Sequence, residues 1–307
     1  MKLIFFGTPQ FAVPVLERLL AEGFSIPLVV ANPDEPRGRG YALTPPPVKE
    51  AALRAGLKVF QPPRLKDIAA RADISAVQPD VAIVVAYGHI IPPWMIHLPP
   101  LGCINLHASL LPCYRGAAPI HWAIIRGERV TGVTTMKIDE GLDTGDILLQ
   151  KEIAIEDVDT TETLSERLSH EGAELMVETL KTIREIHPRP QDHRLATLAP
   201  ILKKEYGQIH WSLTASEIVC RVRGLRPWPV AHTTFRGRNL LIWMARPDET
   251  KIVLAPGELK ADAGGLIAGC GAGTQVEITE LQIEGRKRIS AREFVNGMRL
   301  QAGERMG

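Results

Sequence analysis

Short apolar runs alternate with amphipathic segments along the first 110 residues of the chain. Short runs bounded by turn residues predict buried strands, whereas apolar positions three and four apart predict helices that cover a sheet. The run at 81–86 is the most apolar and indicates a central parallel strand. In chain order we predict strand Lys2–Phe6, helix Phe11–Ala21, strand Ile26–Ala31, helix Val48–Ala55, strand Val59–Phe60, helix Asp67–Gln78, strand Val81–Ala86 and strand 102–107. This alternation predicts a doubly wound α/β sheet.

The pattern changes in the second half of the chain. Two further strands are predicted at Thr131–Ile138 and Ile147–Ile155, followed by a long helix over Thr161–Ile186. After a Pro-containing segment, Gly-rich turns separate short alternating runs at Ala231–Phe235, Asn239–Ala245, Leu266–Ala268 and Gln275–Leu281. Such runs are typical of a small β-barrel. Ser290 and Glu293 have the spacing of a capping box, which predicts a final helix.

We therefore predict three parts. Residues 1–188 form an α/β, doubly wound Rossmann-like N-terminal domain, residues 189–205 form a linker, and residues 206–307 form a C-terminal β-barrel domain. Residues 32–47 are rich in Pro and Gly, which predicts a loop within the first domain.

Composition limits the class of protein. The 307 residues are 45% hydrophobic and 23% charged, as in ordinary soluble proteins. No apolar stretch reaches the roughly 18 residues of a membrane span. The first apolar run leads into a Gly-Thr-Pro turn, which favours a first strand over a signal peptide. The four cysteines lack metal-site or disulfide-framework spacing, so we expect a cytoplasmic protein with reduced thiols.

The net charge of +1 conceals an uneven distribution. Residues 206–307 carry 14 basic and 10 acidic side chains, which gives this part +4 and leaves the remainder at −3. A basic C-terminal part attached to a slightly acidic body favours a polyanionic partner.

Polar side chains follow an unusual pattern at the end of the strand predicted over 102–107. Asn105 and His107 are two residues apart, so the strand period places both on one face and leaves Ile104 and Leu106 for the other. An amide and an imidazolium are suitable donors to the oxyanion that develops during acyl transfer. Ligands bind beyond the carboxyl ends of strands in such sheets. The pair therefore predicts a reaction site at this edge.

A carboxylate near the imidazole would favour its charged form and would provide a path for a proton. Asp143 lies between Gly141 and Gly145, in a segment that can bend back towards the strand. On composition alone, Asp139, Glu140 and Asp146 compete for this role. Neither G-x-G-x-x-G nor a P-loop occurs, which disfavours NAD and ATP.

The strings around these residues resemble the formyltransferases that use 10-formyltetrahydrofolate, and most narrowly the branch that acts on methionyl initiator tRNA. The similar strings are His107-Ala108-Ser109-Leu110-Leu111-Pro112, Tyr114-Arg115-Gly116-Ala117-Ala118-Pro119-Ile120, Gly141-Leu142-Asp143-Thr144-Gly145-Asp146, Phe6-Gly7-Thr8-Pro9-Gln10-Phe11-Ala12, Val84-Val85-Ala86-Tyr87-Gly88, Ile209-His210-Trp211-Ser212 and Arg226-Pro227-Trp228-Pro229. They occur in order along nearly the whole chain.

The resemblance implies a role for each matched residue. The catalytic residues would be Asn105, His107 and Asp143, and the folate site would include Tyr87, Gly88, Ser109, Leu110, Leu111, Pro112 and Asp139. Arg37 and Arg39 would contact the acceptor end of tRNA. The resemblance also implies an oligonucleotide-binding-type (OB-like) barrel at 206–307 and 10-formyltetrahydrofolate as the donor. Since the formyl group is already activated on that donor, we expect no metal. We also expect no membrane association and a monomer.

Two positions depart from the family pattern, and four alternatives stay open. Cys113 replaces a basic residue, and His210 replaces an acidic one before Trp211. Glycinamide ribonucleotide formyltransferases, sugar-amine formyltransferases and formyltetrahydrofolate hydrolases could share the catalytic residues. An RNA-binding protein that has lost catalysis is the fourth alternative, and the intact trio argues against it.

Overall fold

The computed structural model describes residues 1–37, 42–250, 253–262 and 265–307, without the side chains of Arg37 and Asp262. Its chain divides into two compact units. Unit 1 comprises 1–119, 130–154 and 165–200, and unit 2 comprises 120–129, 155–164 and 201–307. Each unit is therefore built from more than one stretch of the chain.

Strands and helices alternate through the first half of the chain. The strands are β1 (Lys2–Gly7), β2 (Ser25–Val30), β3 (Glu35–Arg37), β4 (Ala42–Thr44), β5 (Val59–Phe60), β6 (Val81–Val85), β7 (Cys103–His107), β8 (Val130–Lys137) and β9 (Ile147–Ala154). The helices are α1 (Val13–Ala21), α2 (Pro47–Arg54), α3 (Ile68–Ser75), α4 (Pro93–Ile96), α5 (Pro119–Ile125) and α6 (Thr161–Thr182). Among the helices of the described residues, none has the length and apolarity that a membrane span requires.

Seven strands form the sheet of unit 1, in the order β5-β2-β1-β6-β7-β8-β9. The first five are parallel, whereas β8 and β9 are antiparallel to their neighbours. β1 lies between β2 and β6, so the winding reverses there, and this is where open α/β sheets bind ligands. The strands β1 and β6 are buried almost throughout, as their continuous apolar runs require.

Unit 2 contains an antiparallel sheet and two further helices. Its elements are α7 (Ala215–Gly224), β10 (Ala231–Phe235), β11 (Arg238–Pro247), β12 (Leu259–Asp262), β13 (Gly265–Gly269), β14 (Gln275–Ile283), β15 (Ile289–Ser290) and α8 (Ala291–Met298). The strand order is β10-β11-β14-β13-β12, and β15 pairs with β14. Residues 304–307 hydrogen-bond to Thr234 on one side and to Gly257 and Leu259 on the other. This segment therefore joins the two ends of the sheet, as closure of a barrel requires.

The predicted fold class is confirmed: a Rossmann-like parallel sheet is followed by an antiparallel C-terminal domain. The capping box at Ser290 and Glu293 forms as predicted and begins α8. Residues 32–47, predicted as a loop, contain the short hairpin β3–β4. Its three-residue strands are too short to show an alternating pattern. The sequence reasoning also missed α7, whose start Thr214 and Glu217 cap.

The domain boundaries at 188 and 206 stay a prediction about separately folding parts. Residues 189–200 nevertheless belong to unit 1, where Arg189 pairs with Ile147 and Leu198 pairs with Arg115. This segment is therefore attached to unit 1 by isolated backbone pairs at both of its ends.

Burial of the thiols generates the first prediction. Burial raises the pKa of Cys103 and of Cys270 to about 12, and Cys220 is buried too, whereas Cys113 is partly exposed. Since the thiolate is the reactive form, we expect a disulfide reagent such as DTNB to modify one thiol per folded chain at pH 8 and all four after denaturation. The fast reaction should disappear in Cys113→Ser. If that variant kept a fast thiol, the burial pattern described here would be wrong.

Candidate active site

Strand β7 carries the amide and the imidazole of the predicted site. Asn105 is half-buried and pairs with Val84 of β6 and with Met136 of β8. His107 ends the strand and is only 6% exposed. Both side chains stand on the same face because successive residues of a strand alternate. The strand therefore presents an amide and an imidazole side by side.

The His107 ring has different surroundings at its two nitrogens. Its Nε2 lies 2.9 Å from the carbonyl oxygen of Tyr114, and its Nδ1 lies 3.6 Å from Oδ2 of Asp143. A carbonyl can only accept, so Nε2 carries a proton and donates it. The Nδ1–Oδ2 separation exceeds a direct hydrogen bond. Nδ1 is thus the nitrogen that can face a substrate, and a carboxylate lies beside it.

Asp143 reaches His107 because the turn after β8 folds back. The sheet pairing ends where the Ile138 amide donates to the carbonyl of Cys103, four residues before His107. That offset corresponds to about 13 Å along a strand. Asp143 adopts a left-handed conformation, with φ 51°, and its Oδ2 accepts from the Gly116 amide at 2.8 Å. The turn therefore brings its carboxylate to the far end of β7.

The other acidic residues of the turn have different surroundings. Oδ1 of Asp139 accepts from the Gly141 amide at 2.9 Å and from the Thr144 hydroxyl at 2.7 Å. The Asp139 side chain therefore shapes the turn that carries Asp143. Of the four candidate carboxylates, Asp143 is the one paired with His107. The geometry thus favours Asp143 for the acid–base role.

The predicted folate segment at 109–112 is held by its backbone. Thr134 donates to the Ser109 carbonyl at 2.6 Å and accepts from the Leu111 amide, while Gln150 donates to the Leu111 carbonyl at 2.9 Å. Ser109 and Leu111 are buried, whereas Leu110 and Pro112 are partly exposed. A ligand could therefore contact the side chains of Leu110 and Pro112 and the backbone of this segment.

Tyr87 and Gly88 follow β6 at the winding reversal. The Tyr87 ring is 2% exposed and packs edge-on against Phe6, with ring centres 5.4 Å apart. Burial raises the pKa of its phenol to about 12. Its carbonyl accepts from the Thr8 hydroxyl at 3.1 Å, and Gly88 has a left-handed φ of 85°. Tyr87 therefore contributes its backbone to the crevice, while its ring belongs to the core.

The strands β3 and β4 pair within the segment where tRNA contacts are predicted. At its base, Asp34 accepts from Lys49 at 2.8 Å through both oxygens and from Gln61 at 2.8 Å. These partners hold the pKa of the Asp34 carboxyl below its usual range, Lys49 contributing most. Arg39 and the side chain of Arg37 lie outside the described residues.

Comparisons with known proteins identify the family. A formyl transferase model matches residues 1–180, and a model of the formyl transferase C-terminal domain matches 201–299. The methionyl-tRNA formyltransferase of Koribacter versatilis is 54% identical over all of this chain and 99% of the relative. The chain belongs to the methionyl-tRNA formyltransferase family. It is therefore a formyl-transferring enzyme.

Solved structures share the fold of this formyltransferase. The N-formyltransferase of Helicobacter canadensis, in complex with folinic acid and dTDP-3-aminofucose, has a TM-score of 0.69 at 18% identity, over 91% of this chain and 98% of that one. The methionyl-tRNA formyltransferase of Clostridium thermocellum has a TM-score of 0.59 at 18% identity, over 92% and 98%. At this identity the likeness shows the common architecture alone.

Sequence reasoning missed the backbone partners of the formyltransferase site. Tyr114 has a left-handed φ of 61°, which aims its carbonyl at His107, and its amide donates a hydrogen bond to the Thr197 hydroxyl oxygen at 2.8 Å. The 115–118 backbone exchanges hydrogen bonds with residues 197–199. The string Tyr114-Arg115-Gly116 marks the place, but its partners lie about 80 residues away in sequence.

Gly116 generates a prediction about stability. Its φ is 118°, and a β-carbon there would lie 2.8 Å from the Ala199 carbonyl oxygen. We expect Gly116→Ala to lower the free energy of unfolding by about 1–3 kcal/mol, measured by urea denaturation. Gly297→Ala is the matched control, because that glycine lies in α8 with open space around it. It should raise stability by about 0.5–1 kcal/mol. Equal changes in both variants would contradict the close approach at Gly116.

Proposed function

We propose that this enzyme transfers the formyl group of 10-formyltetrahydrofolate to the α-amine of methionyl initiator tRNA, through Asn105, His107 and Asp143. The observation that carries the proposal is the pair formed by His107 and Asp143, in which Nδ1 lies 3.6 Å from Oδ2. His107 lies on the same strand face as Asn105. Membership of the family supplies the reaction and the acceptor.

Asn105 and His107 act on the developing charge. The amine attacks the formyl carbon, and the carbonyl oxygen becomes an oxyanion. When the carbonyl forms again, the bond from carbon to N10 breaks. N10 keeps the bond electrons, takes up the proton that the attacking amine has lost, and leaves as the amine of tetrahydrofolate. The Asn105 amide and the Nδ1–H of a protonated His107 donate hydrogen bonds to that oxyanion. Because the Tyr114 carbonyl holds the Nε2–H at 2.9 Å, the ring keeps Nδ1 directed at the reacting group.

Asp143 has two tasks in this proposal. Its carboxylate lies 3.6 Å from Nδ1 of His107, where it stabilises the positive charge that the ring carries during the transfer. It also accepts the proton that the attacking amine loses, through a water molecule that can bridge the gap. The Gly116 amide holds Oδ2 in place at 2.8 Å, so the carboxylate is oriented before substrates bind.

Folate as the donor is supported by the solved formyltransferase that holds folinic acid on the same fold. Leu110, Pro112 and the Gly88 backbone are the groups at this edge that can line the donor site. The formyl group is already activated on N10, so the protein supplies orientation and charge stabilisation. Asp139 would act here through the turn that it shapes.

Recognition of the tRNA rests on charge and on the hairpin. Residues 206–307 carry an excess of four positive charges, which suits a phosphate backbone. Arg37 and Arg39 are the candidate contacts of the β3–β4 hairpin with the acceptor end. The cytoplasmic location and the monomeric state stay predictions.

His107→Ala tests the chemistry. We expect formylation to fall by about 10²–10⁴-fold while the circular dichroism spectrum stays that of the folded enzyme. The assay measures N-formylmethionyl-tRNA made from 10-formyltetrahydrofolate, with initiator and elongator methionyl-tRNA in parallel. Activity within about tenfold of the wild type would remove His107 from the mechanism. Formylation of a sugar or nucleotide amine instead of the tRNA would discard the acceptor.

Lys49→Met tests the hairpin. Loss of the Asp34–Lys49 pair should loosen the hairpin base and raise the KM for tRNA by roughly two- to fivefold, with the KM for folate and kcat unchanged. Because Lys49 and Gln61 depress the pKa of Asp34, the pair contributes fully above the ordinary carboxyl pKa and is lost as the pH falls through the lower pKa of the folded state. Lys151→Met is the matched control, since Lys151 pairs with Glu171 away from the hairpin. An equal rise in both variants would contradict a specific role.

A further inference from the structure

Arg115 and Gln191 form a buried pair that the proposed chemistry does not use directly. Each side chain is 6% exposed. The guanidinium donates to Gln191 Oε1 from Nη2 at 2.6 Å and from Nε at 3.1 Å, and its Nη1 lies 3.1 Å from Nδ1 of His193. Among the ion pairs of the described residues, none joins Arg115 to a carboxylate. Burying a cation whose partner is a neutral amide costs free energy. We therefore looked for what this pair does in the fold.

The other end of the Gln191 amide reaches the turn that carries Asp143. Its Nε2 donates to the Asp143 carbonyl at 2.9 Å and to the Gly145 carbonyl at 2.7 Å. Both hydrogens of the amide are thereby used on one turn. The cation on the oxygen side polarises the amide and strengthens these two donors. The positive charge of Arg115 thus strengthens the hydrogen bonds by which Gln191 holds the carbonyls of Asp143 and Gly145.

The turn needs such support. Asp143 has a left-handed φ of 51°, a backbone conformation that is unfavourable for a non-glycine residue. Gly145 lies so close to β8 that a β-carbon would meet the Lys137 carbonyl. The turn is therefore fixed at Gly145 against the sheet and at two carbonyls by Gln191. Without Gln191, the Asp143 backbone would relax towards an ordinary conformation and would move the carboxylate away from Nδ1 of His107.

We propose that Gln191, oriented by Arg115, is a positioning residue for Asp143 and so sets the rate of formyl transfer rather than the binding of either substrate. The inference rests on the proposed function, in which Asp143 acts on His107 and on the amine. It assigns Arg115 and Gln191 no contact with substrate.

Two substitutions separate positioning from stability. Gln191→Leu removes both the acceptor and the donors. Gln191→Glu keeps an acceptor for Arg115, now as an ion pair, but a carboxylate has no hydrogen for the carbonyls of Asp143 and Gly145. The Glu variant therefore keeps the buried Arg115 cation paired, whereas the Leu variant leaves it without this acceptor. Gln275→Leu is the matched control, because Gln275 is 4% exposed in β14 of unit 2.

The experiment measures kcat and both KM values by formylation of methionyl initiator tRNA, with thermal midpoints for each variant. We expect both Gln191 variants to lose kcat by about 10–100-fold with each KM within about threefold of the wild type. Gln275→Leu should keep kcat, because it removes a buried amide that belongs to unit 2. In the Asp143→Asn background, Gln191→Glu should change kcat by less than about threefold, because residues that act through one another are not additive.

Each result has one reading. Equal losses of kcat from Gln191→Glu with and without Asp143→Asn would overturn the inference, as would a raised KM with unchanged kcat. Wild-type kcat in both Gln191 variants would also overturn it. The proposed function itself would be wrong if the wild type formed no product, or if Asp143→Asn and His107→Ala retained full activity. These outcomes do not involve the Gln191 variants, so they are distinguishable from a failure of the inference about Gln191.

Discussion

The arrangement at the carboxyl end of β7 depends on the turn after β8, which folds back over the sheet. β8 leaves the sheet level with Cys103, yet the carboxylate that serves His107 comes from the residues that follow β8. An antiparallel neighbour delivers the chain to the wrong end of β7, and only a fold-back over the sheet restores the proximity. Everything that constrains residues 139–146 therefore fixes the position of that carboxylate, including the close approach of Gly145 to β8, the hydrogen bonds of Asp139 and the buried amide of Gln191.

The sequence predicted the frame of this site and its strongest polar residues. The apolar runs located every strand of the parallel sheet, and the period of two put Asn105 and His107 on one face. Four carboxylates competed at the next step, because composition cannot say which residue of a turn points at an imidazole. That choice is made by φ at Asp143 and by the Gly116 amide, which no pattern along the chain encodes.

The residues that hold the site in place could not be predicted from the sequence, for a related reason. Thr197 and Gln191 lie in a stretch whose polar, Pro-containing composition indicates a linker, and their partners lie 46 to 83 residues away. Local periodicity reports which face of an element is buried. It does not report that an irregular segment pairs with a loop. Close backbone approaches at glycines are similar: Leu110 lies over Gly132, and any β-carbon there would collide with it.

The two units interleave along the chain, and this affects how the protein can fold as it is made. Residues 120–129 and 155–164 belong to unit 2, where the Thr161 hydroxyl donates to the Gly224 carbonyl and the Trp122 ring packs against Tyr206. Both stretches leave the ribosome well before residues 201–307 exist. At about 5–20 residues per second, they wait several seconds for their partners, with apolar side chains in water. Nascent chains of intermediate length are thus the stage at which this formyltransferase most needs a chaperone.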